Sequence, residues 1–259
     1  MPYWVGSVDN MSQKKRISAI IIVRNESVRI ASCVANLSFA DEIIVIDNGS
    51  TDTTPEIIKK LPVTVIKDNS RSFSDLRNTG AKNATGEWLL YVDADETVTS
   101  QLQKEIVSVV NKPSASAFFI PRQNYFLQTS WPRKDGMIRL IEKSKLVRWE
   151  GIIHEHPIIN GDIKSLKQCF THNTHRNLGE MVEKTNEWSE YEAQLRFSSD
   201  HPPVTWWRFF RVMMTEFFRY FIQDGGWKAG TVGLIESMYQ SFSIFITYAK
   251  LWEMQEKQK

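Results

Sequence analysis

The segment "LLYVDADET" at residues 89–97 places acids directly after an apolar run. If that run is a buried, extended strand, Asp93 and Asp95 point to one face, and Ala94 leaves room between them. Two converging carboxylates repel each other unless a cation lies between them. Mg²⁺ and Mn²⁺ take such oxygen ligands and share them with substrate phosphates. The segment therefore predicts metal-assisted chemistry on a diphosphate.

Three earlier apolar runs, "ISAIIIV", "EIIVID" and "VTVIK", have the β-branched composition of buried strands. Helical patterns separate them, which predicts right-handed crossovers and a parallel sheet. Each run ends in hydrogen-bonding residues: Arg24-Asn25-Glu26, Asp47-Asn48-Gly49-Ser50 and Asp68-Asn69. Local turn formation explains one such cluster. Four clusters at one edge of the sheet favour a ligand site there.

The composition sets limits on the class of protein. The chain has 259 residues, 42% of them hydrophobic, and a formal net charge of +2, which gives no reason to expect a nucleic-acid partner. Cys33 and Cys169 lie far apart, and the first 16 residues lack the apolar core of a signal peptide. No apolar run reaches the roughly 18 residues of a membrane span. The sequence therefore predicts a cytoplasmic protein.

Three blocks, "AIIIVRNE", "EIIVIDNGSTDTT" and "SDLRNTGAKNATGEWLLYVDADE", resemble in order and spacing those of family 2 glycosyltransferases with the GT-A fold. The resemblance implies an α/β fold: a Rossmann-like, mostly parallel sheet flanked by helices. It also implies a catalytic domain over residues 16–200, with a nucleotide-sugar-binding half (16–125) and an acceptor and catalytic half (126–200). Residues 1–15 would form an N-terminal extension, and residues 201–259 an aromatic, helical C-terminal region.

The same resemblance implies roles for individual residues in binding a UDP-sugar. Asp47 would contact the base, and a uracil imide does want a carboxylate acceptor. Asp93 would hold the ribose or lie behind the metal, and Asp95 would bind Mg²⁺ or Mn²⁺. The remaining predicted donor-binding residues come from the same blocks: Asn25 and Glu26 near the nucleoside, Asn48 and Gly49 beside Asp47, and Arg77 and Asn78 near the diphosphate.

Family 2 enzymes invert the anomeric centre, which requires a general base and a cation that neutralises the leaving group. The segment "RWEGIIHEHP" resembles a block that follows the paired acids in a bacterial subgroup of family 2, and this resemblance predicts that Glu155 is the base. Asp135, in "WPRKDGMIRL", is the second candidate. The alternative interpretation of Glu155 is an ordinary exposed acid on a strand or loop.

Histidines concentrate in the second half of the chain. The segment "HNTHRNLGEMVEKTN" resembles the next block of the same subgroup and predicts His172, with His154, on the metal side. Lys184 would lie near the leaving phosphates. Hydrogen-bonded structural histidines and a solvated lysine are the alternatives. A zinc site that includes Cys169 lacks an evident fourth ligand.

Residues 204–252 are rich in aromatic side chains. In "PPVTWWRFFRVMMTEFFRYFIQDGGWKAG" the arginines Arg208, Arg211 and Arg219 fall on one helical face. This pattern predicts peripheral contact with a membrane surface, on the inner face of the cytoplasmic membrane, and a lipid-linked acceptor. Helices that close the acceptor side of the enzyme, or that form a dimer contact, explain the pattern equally well.

The preferred hypothesis is a metal-dependent, inverting transfer of a hexose from a UDP-sugar to a glycan or lipid-linked acceptor such as a lipopolysaccharide core. The looser likeness of the tail to lipopolysaccharide-core β-glucosyltransferases supports that acceptor. A sugar nucleotidyltransferase and a dinucleotide oxidoreductase are disfavoured because "VRNES" has no glycine where a phosphate-binding loop would lie. A non-catalytic membrane-surface or glycan-binding module on the same fold stays open.

Overall fold

A computed structural model describes residues 16–70, 72–151, 155–175 and 177–258. His154, one of the two predicted metal-side histidines, lies outside these residues. The described chain forms two compact units. The first comprises the described residues up to Pro121 together with Gly136–Phe170, and the second comprises Arg122–Asp135 and the residues from Thr171 onward.

Strands and helices alternate through the first half of the described chain, as the periodicity predicts. The strands are β1 (Ile17–Val23), β2 (Glu42–Asp47), β3 (Thr64–Lys67), β4 (Trp88–Asp93), β5 (Glu96–Val98), β6 (Ala117–Phe126), β7 (Thr129–Ser130), β8 (Asp135–Glu142), β9 (Leu146–Glu150), β10 (His156–Ile159), β11 (Ile163–Ser165) and β12 (Phe170–His175). The α-helices are α1 (Ile30–Asn36), α2 (Thr54–Ile58), α3 (Phe73–Asn83), α4 (Ser100–Asn111), α5 (Leu178–Ser198), α6 (Trp206–Phe218) and α7 (Gly230–Glu256).

The sheet of the first unit has the strand order β3-β2-β1-β4-β8-β6. Strands β1 to β4 pair in parallel, so their carboxyl ends share one edge, whereas β8 runs antiparallel to β4. Strands β9 and β10 form a separate antiparallel pair. The predicted α/β fold, with a mostly parallel sheet and an additional helical C-terminal region, is confirmed.

Buried side chains of β1 alternate between the two faces of this sheet. Ala19 and Ile21 belong to the apolar cluster formed with α1, α2 and α4, whereas Ile20 belongs to the cluster formed with α3 and β9. A parallel strand that is covered on both faces can be apolar along its whole length. The unbroken run "ISAIIIV" therefore follows from this arrangement.

Residues 170–175 form strand β12, although their sequence lacks the apolar alternation that typically marks a strand. Phe170 and His172 are both buried, at 1% and 8% exposure, whereas Thr171 and Asn173 are more exposed. This is the two-residue period of a strand with one covered face. A polar sequence such as "THNTH" conceals that period, since its buried member is a histidine.

The second unit is built mainly from helices α5, α6 and α7. Its small core contains Ala193, Val204 and Leu251, against which Phe209 and Tyr248 pack. No helix among the described residues is long and apolar enough to cross a membrane. Many large apolar side chains of α6 and α7 are instead exposed at the surface of this unit.

Glu236 of α7 makes the stability of the second unit depend on pH. It is 1% exposed, and burial raises its pKa from 4.5 to about 7, although the side-chain amide of Gln240 donates to it at 2.6 Å. Because the folded-state pKa lies above the unfolded one, the stability contribution is complete below pH 4.5 and is lost as the pH rises through about 7. The shift corresponds to roughly 3 kcal/mol.

We therefore expect the thermal midpoint of the wild type to fall between pH 5 and pH 8, and Glu236→Gln to remove most of that fall. Glutamine keeps the size and hydrogen-bonding capacity of the side chain but cannot ionise. Thermal denaturation of both proteins at the two pH values measures the effect. An equal fall in the two proteins would contradict the assignment to Glu236.

Candidate active site

Acids of two strands flank the carboxyl end of β1. In the parallel register, Val23 lies beside Asp47 of β2, and Ile22 lies beside Asp93 of β4. Two inter-strand spacings therefore separate the acids, about 10 Å. The predicted convergence of polar strand ends at a single edge of the sheet is what the topology produces.

The loop after β2 is held by its own side chains. Asp47 is buried, and its Oδ1 accepts the backbone N–H of Ser50 at 3.0 Å. Asn48 donates to the backbone carbonyl of Asp68 at 2.8 Å and so joins this loop to the end of β3. Gly49 has φ +70°, a conformation that residues with a side chain rarely adopt. These bonds give Asp47 a fixed place at the edge of the sheet.

The loop after β1 is fastened to the same β2 loop. Asn25 has φ +58°, and its Oδ1 accepts the backbone N–H of Thr51 at 2.8 Å. The backbone N–H of Glu26 donates to the hydroxyl of Thr54 at 2.8 Å, and its carboxylate pairs with Arg29 at 3.1 Å. Asn and Asp side chains commonly bond backbone groups in this way. Asn25 and Glu26 thus join two loops of the predicted nucleoside site.

The acidic segment after β4 is a turn, which corrects the extended geometry expected from the sequence. Strand β4 ends at Asp93, Ala94 and Asp95 form the turn, and β5 begins at Glu96. The backbone N–H of Asp93 donates to Glu96 Oε2 at 3.0 Å, which closes the turn. Asp93 and Asp95 therefore do not alternate along one strand.

Arg139 of β8 neutralises two of these acids. Its Nη1 donates to Asp93 Oδ1 at 3.0 Å, its Nη2 pairs with Asp93 Oδ2, and Nη2 also lies 3.2 Å from Glu96 Oε1. Burial alone would lower the pKa of Arg139, but Asp93 and Glu96 outweigh it and raise that pKa, so the guanidinium stays charged. Arg139 and Glu96 are both buried, and removing one partner of such a pair costs about 3–5 kcal/mol.

Sequence reasoning missed Arg139 and the structural role of Glu96. The sequence did contain a signal for a paired Arg139, because "GMIRLIE" places this arginine within a mostly apolar strand. An arginine is almost never fully buried unless it is paired. Its partner cannot be read from the sequence, however, because Asp93 lies 46 residues earlier in the chain.

Arg77 of α3 connects the acidic turn to the predicted base. Its Nε and Nη2 donate to Glu155 Oε1 at 3.1 and 2.9 Å, and Nη2 lies 3.5 Å from Asp93 Oδ1. The guanidinium lies over the rings of Trp149, at 4.9 Å, and Tyr91, at 5.6 Å. The structure thus brings together Asp93, Arg77 and Glu155, which the sequence places far apart.

Asn78, the next residue of α3, bonds the backbone of β9. Its Oδ1 accepts the N–H of Trp149 at 2.8 Å, and its Nδ2 donates to the carbonyl of the same residue at 3.0 Å. These are the two hydrogen bonds that a residue of a neighbouring strand would supply. Asn78 therefore fixes the position of β9 relative to α3.

In the second unit, His172 and Asp135 belong to a polar cluster around Asn124. The Oδ1 of Asn124 lies 2.7 Å from His172 Nδ1, and the hydroxyl of Thr174 lies 3.2 Å from the same nitrogen. Asp135 pairs with Arg122 at 2.9 and 2.8 Å. Burial raises the pKa of Asp135, but the bonds from Arg122 outweigh it and lower that pKa. Lys184 donates to a backbone carbonyl of β12 at 3.4 Å.

The residues at the turn fit a divalent ion that arrives with a diphosphate. Among the described residues, no three His, Cys, Asp or Glu side chains form a ready-made metal cluster. Mg²⁺ in phosphate sites is usually bound by one or two carboxylates, with substrate phosphates and water as the other ligands. Asp95 supplies one such carboxylate, whereas both oxygens of Asp93 are engaged by Arg139. Asp95 stays the predicted ligand of the ion.

Comparison with known proteins identifies the family to which this chain is similar. The model of the family described as glycosyl transferase family 2 matches residues 18–165, which is more than half of the chain. The lipopolysaccharide core biosynthesis glycosyltransferase LpsC of Rhizobium meliloti is 25% identical, with 94% of each chain covered. An uncharacterised glycosyltransferase of Rickettsia typhi is 26% identical over 95% of this chain and 89% of its own.

Among solved structures, a fragment of S. aureus TarS in complex with UDP-GlcNAc is 14% identical. The match covers 94% of this chain and 92% of that chain, with a TM-score of 0.49.

Proposed function

Because the chain belongs to glycosyl transferase family 2, we propose that it transfers a hexose from a UDP-sugar to a hydroxyl group of a glycan or lipid-linked acceptor, with inversion at the anomeric carbon. One observation carries the proposal: the acidic turn after β4, whose Asp93 and Glu96 are held by the buried Arg139, lies at the sheet edge that also carries Asp47. The name of the LpsC relative supports a lipopolysaccharide core, or a similar cell-surface glycan, as the acceptor.

The donor binds along the edge formed by the loops after β1, β2 and β4. Asp47 accepts the imide N–H of uracil, while Asn25, Glu26, Asn48 and Gly49 form the loops around the nucleoside. Asp93, held by Arg139, presents its carboxylate near the ribose. Lys184 and His172 belong to the second unit, and their roles at the phosphates and at the metal stay predictions.

Asp95 would hold Mg²⁺ or Mn²⁺. When it is bound, the ion offsets the negative charge that develops on the leaving diphosphate. Glu155 accepts the proton of the acceptor hydroxyl while the hydroxyl oxygen bonds to the anomeric carbon and the bond from that carbon to UDP breaks. Asp135 stays the second candidate for the base, and its ion pair with Arg122 lowers its pKa.

The experiment that tests the proposal measures UDP release from UDP-glucose, UDP-galactose and UDP-GlcNAc, with Mn²⁺ and a truncated lipopolysaccharide core as acceptor. GDP-mannose and dTDP-glucose serve as comparison donors, with release of GDP and dTDP measured. Faster turnover of a UDP-sugar in the presence of the core supports the transfer. Tight binding of UDP without turnover of any donor would favour the non-catalytic module instead.

We further propose that the second unit contacts an anionic membrane surface. Trp206, Phe210 and Met214 occur at every fourth position of α6 and are 76%, 67% and 66% exposed. They therefore form one apolar row along the helix. Arg211 is exposed within the same stretch and can meet lipid phosphates. Such a surface would bring the enzyme to a lipid-linked acceptor.

The double substitution Trp206→Ser and Phe210→Ser is expected to lower binding to vesicles that contain anionic lipid by more than about tenfold, because each buried aromatic ring contributes about 2 kcal/mol. Vesicle co-sedimentation measures the effect. Val28→Ser, at a valine of the first unit that is 77% exposed, is the matched control. Equal sedimentation of all three proteins would contradict membrane contact through α6.

A further inference from the structure

Two consecutive residues of α3 contact Trp149 and the candidate base Glu155. Asn78 bonds both backbone groups of Trp149, one residue before the end of β9. Arg77 lies over the ring of Trp149 and bonds Glu155, which directly precedes β10. Arg77 and Asn78 therefore hold the chain at Trp149, near the end of β9, and at Glu155, just before β10.

Arg77 has little freedom to take another partner. It is 3% exposed, and two aromatic rings lie against its guanidinium. Trp149 and Tyr91 are themselves packed edge to face, with ring centroids 4.9 Å apart. Two of its nitrogens bond Glu155, and one of these also approaches Asp93. A diphosphate that bound to these nitrogens would have to displace a carboxylate.

The contact between Arg77 and Glu155 leaves one oxygen of Glu155 available to accept a proton. Both hydrogen bonds from Arg77 go to Oε1 of Glu155. The other carboxylate oxygen can accept a proton without loss of these bonds. The same guanidinium lies 3.5 Å from Asp93 Oδ1 and so sets the spacing between Glu155 and the acidic turn.

From this geometry we propose that Arg77 is a positioning residue for Glu155, with Asn78 and Trp149 as its support, rather than a ligand of the donor's diphosphate. The inference rests on the proposed function and on Glu155 as the base. It changes the role that the resemblance to family 2 implies for Arg77 and Asn78. Catalytic rates are sensitive to such placement, since a shift of about 1 Å can cost about 100-fold.

The test is Arg77→Lys, which keeps the positive charge but cannot form the two-pronged bond or lie flat on both rings. We expect kcat for the best UDP-sugar to fall by about 100-fold, while the Kd for UDP with Mn²⁺ changes by less than about twofold. Adding Arg77→Lys to Glu155→Gln should give no further loss, because the two residues act as one unit. Trp149→Phe, which reduces the supporting ring, should also lower kcat and leave UDP binding unchanged.

Arg148→Lys is the matched control. Arg148 is an exposed arginine that pairs with Glu150 on the same strand as Trp149, and its replacement should change neither quantity. If Arg77→Lys raised the Kd for UDP and kept the wild-type kcat at saturating donor, the positioning role would be overturned, and a role of Arg77 in binding the diphosphate would be favoured. An active Glu155→Gln enzyme would instead contradict the base assignment itself. A wild type without turnover would contradict the proposed function.

Discussion

Glu155→Gln is expected to lower kcat by about a thousandfold and to leave the Kd for UDP unchanged. Glutamine has nearly the same shape, and its carbonyl oxygen can still accept the two hydrogen bonds from Arg77. It cannot accept a proton from the acceptor hydroxyl, and general-base catalysis contributes about 100- to 10,000-fold to a rate. Steady-state UDP release and calorimetric titration of UDP measure the two quantities on one preparation.

Glu150→Gln provides the matched control for this prediction. Glu150 ends β9 and pairs with Arg148 at the surface, so its replacement should leave kcat at the wild-type value. Turnover by Glu155→Gln at the wild-type rate would exclude Glu155 as the base. In that case Asp135 would be tested next by the same substitution.

Asp95→Asn is expected to reduce sugar transfer by at least about a thousandfold at every Mn²⁺ concentration. Asparagine keeps the size of the side chain but removes the charge that makes the carboxylate a good ligand for a hard cation. The cation in turn contributes several kcal/mol to the departure of the diphosphate. UDP release measured across a series of Mn²⁺ concentrations tests the expectation.

Asp93→Asn distinguishes the role of Asp93 from that of Asp95. Since Asp93 is held by Arg139, this substitution leaves a buried guanidinium with Glu96 as its remaining close partner. We expect it to lower the thermal midpoint more than Asp95→Asn does, while the dependence of turnover on Mn²⁺ persists. If Asp93→Asn lost the Mn²⁺ dependence of turnover and Asp95→Asn kept wild-type turnover, Asp93 rather than Asp95 would be the metal ligand.

The sequence was sufficient for the features that depend on local pattern. The apolar runs and the helical periods between them predicted β1 to β4 with their helices, and parallel pairing then placed the polar ends at one edge. The paired acids after β4 were recognisable for the same reason, because they follow a run that must be buried. The resemblance to family 2 glycosyltransferases, carried by these blocks, is confirmed by the family match.

Features that depend on distant pairing could not be predicted. Arg139 meets Asp93 across 46 positions, and Arg77 meets Glu155 across 78, and no local period encodes either pairing. The turn at Ala94 and Asp95 arises because Asp93 bonds Glu96 and shares Arg139 with it.

Calorimetric titration of UDP tests whether the acidic turn forms a metal-dependent site for a UDP-sugar. Wild type and Asp95→Ala are titrated with and without Mn²⁺, and GDP serves as the comparison nucleotide. We expect wild type to bind UDP more tightly with Mn²⁺ than without it and more tightly than GDP, and we expect Asp95→Ala to lose the gain from Mn²⁺. Binding of UDP that is equal in the two proteins, or independent of Mn²⁺ in the wild type, would contradict this expectation.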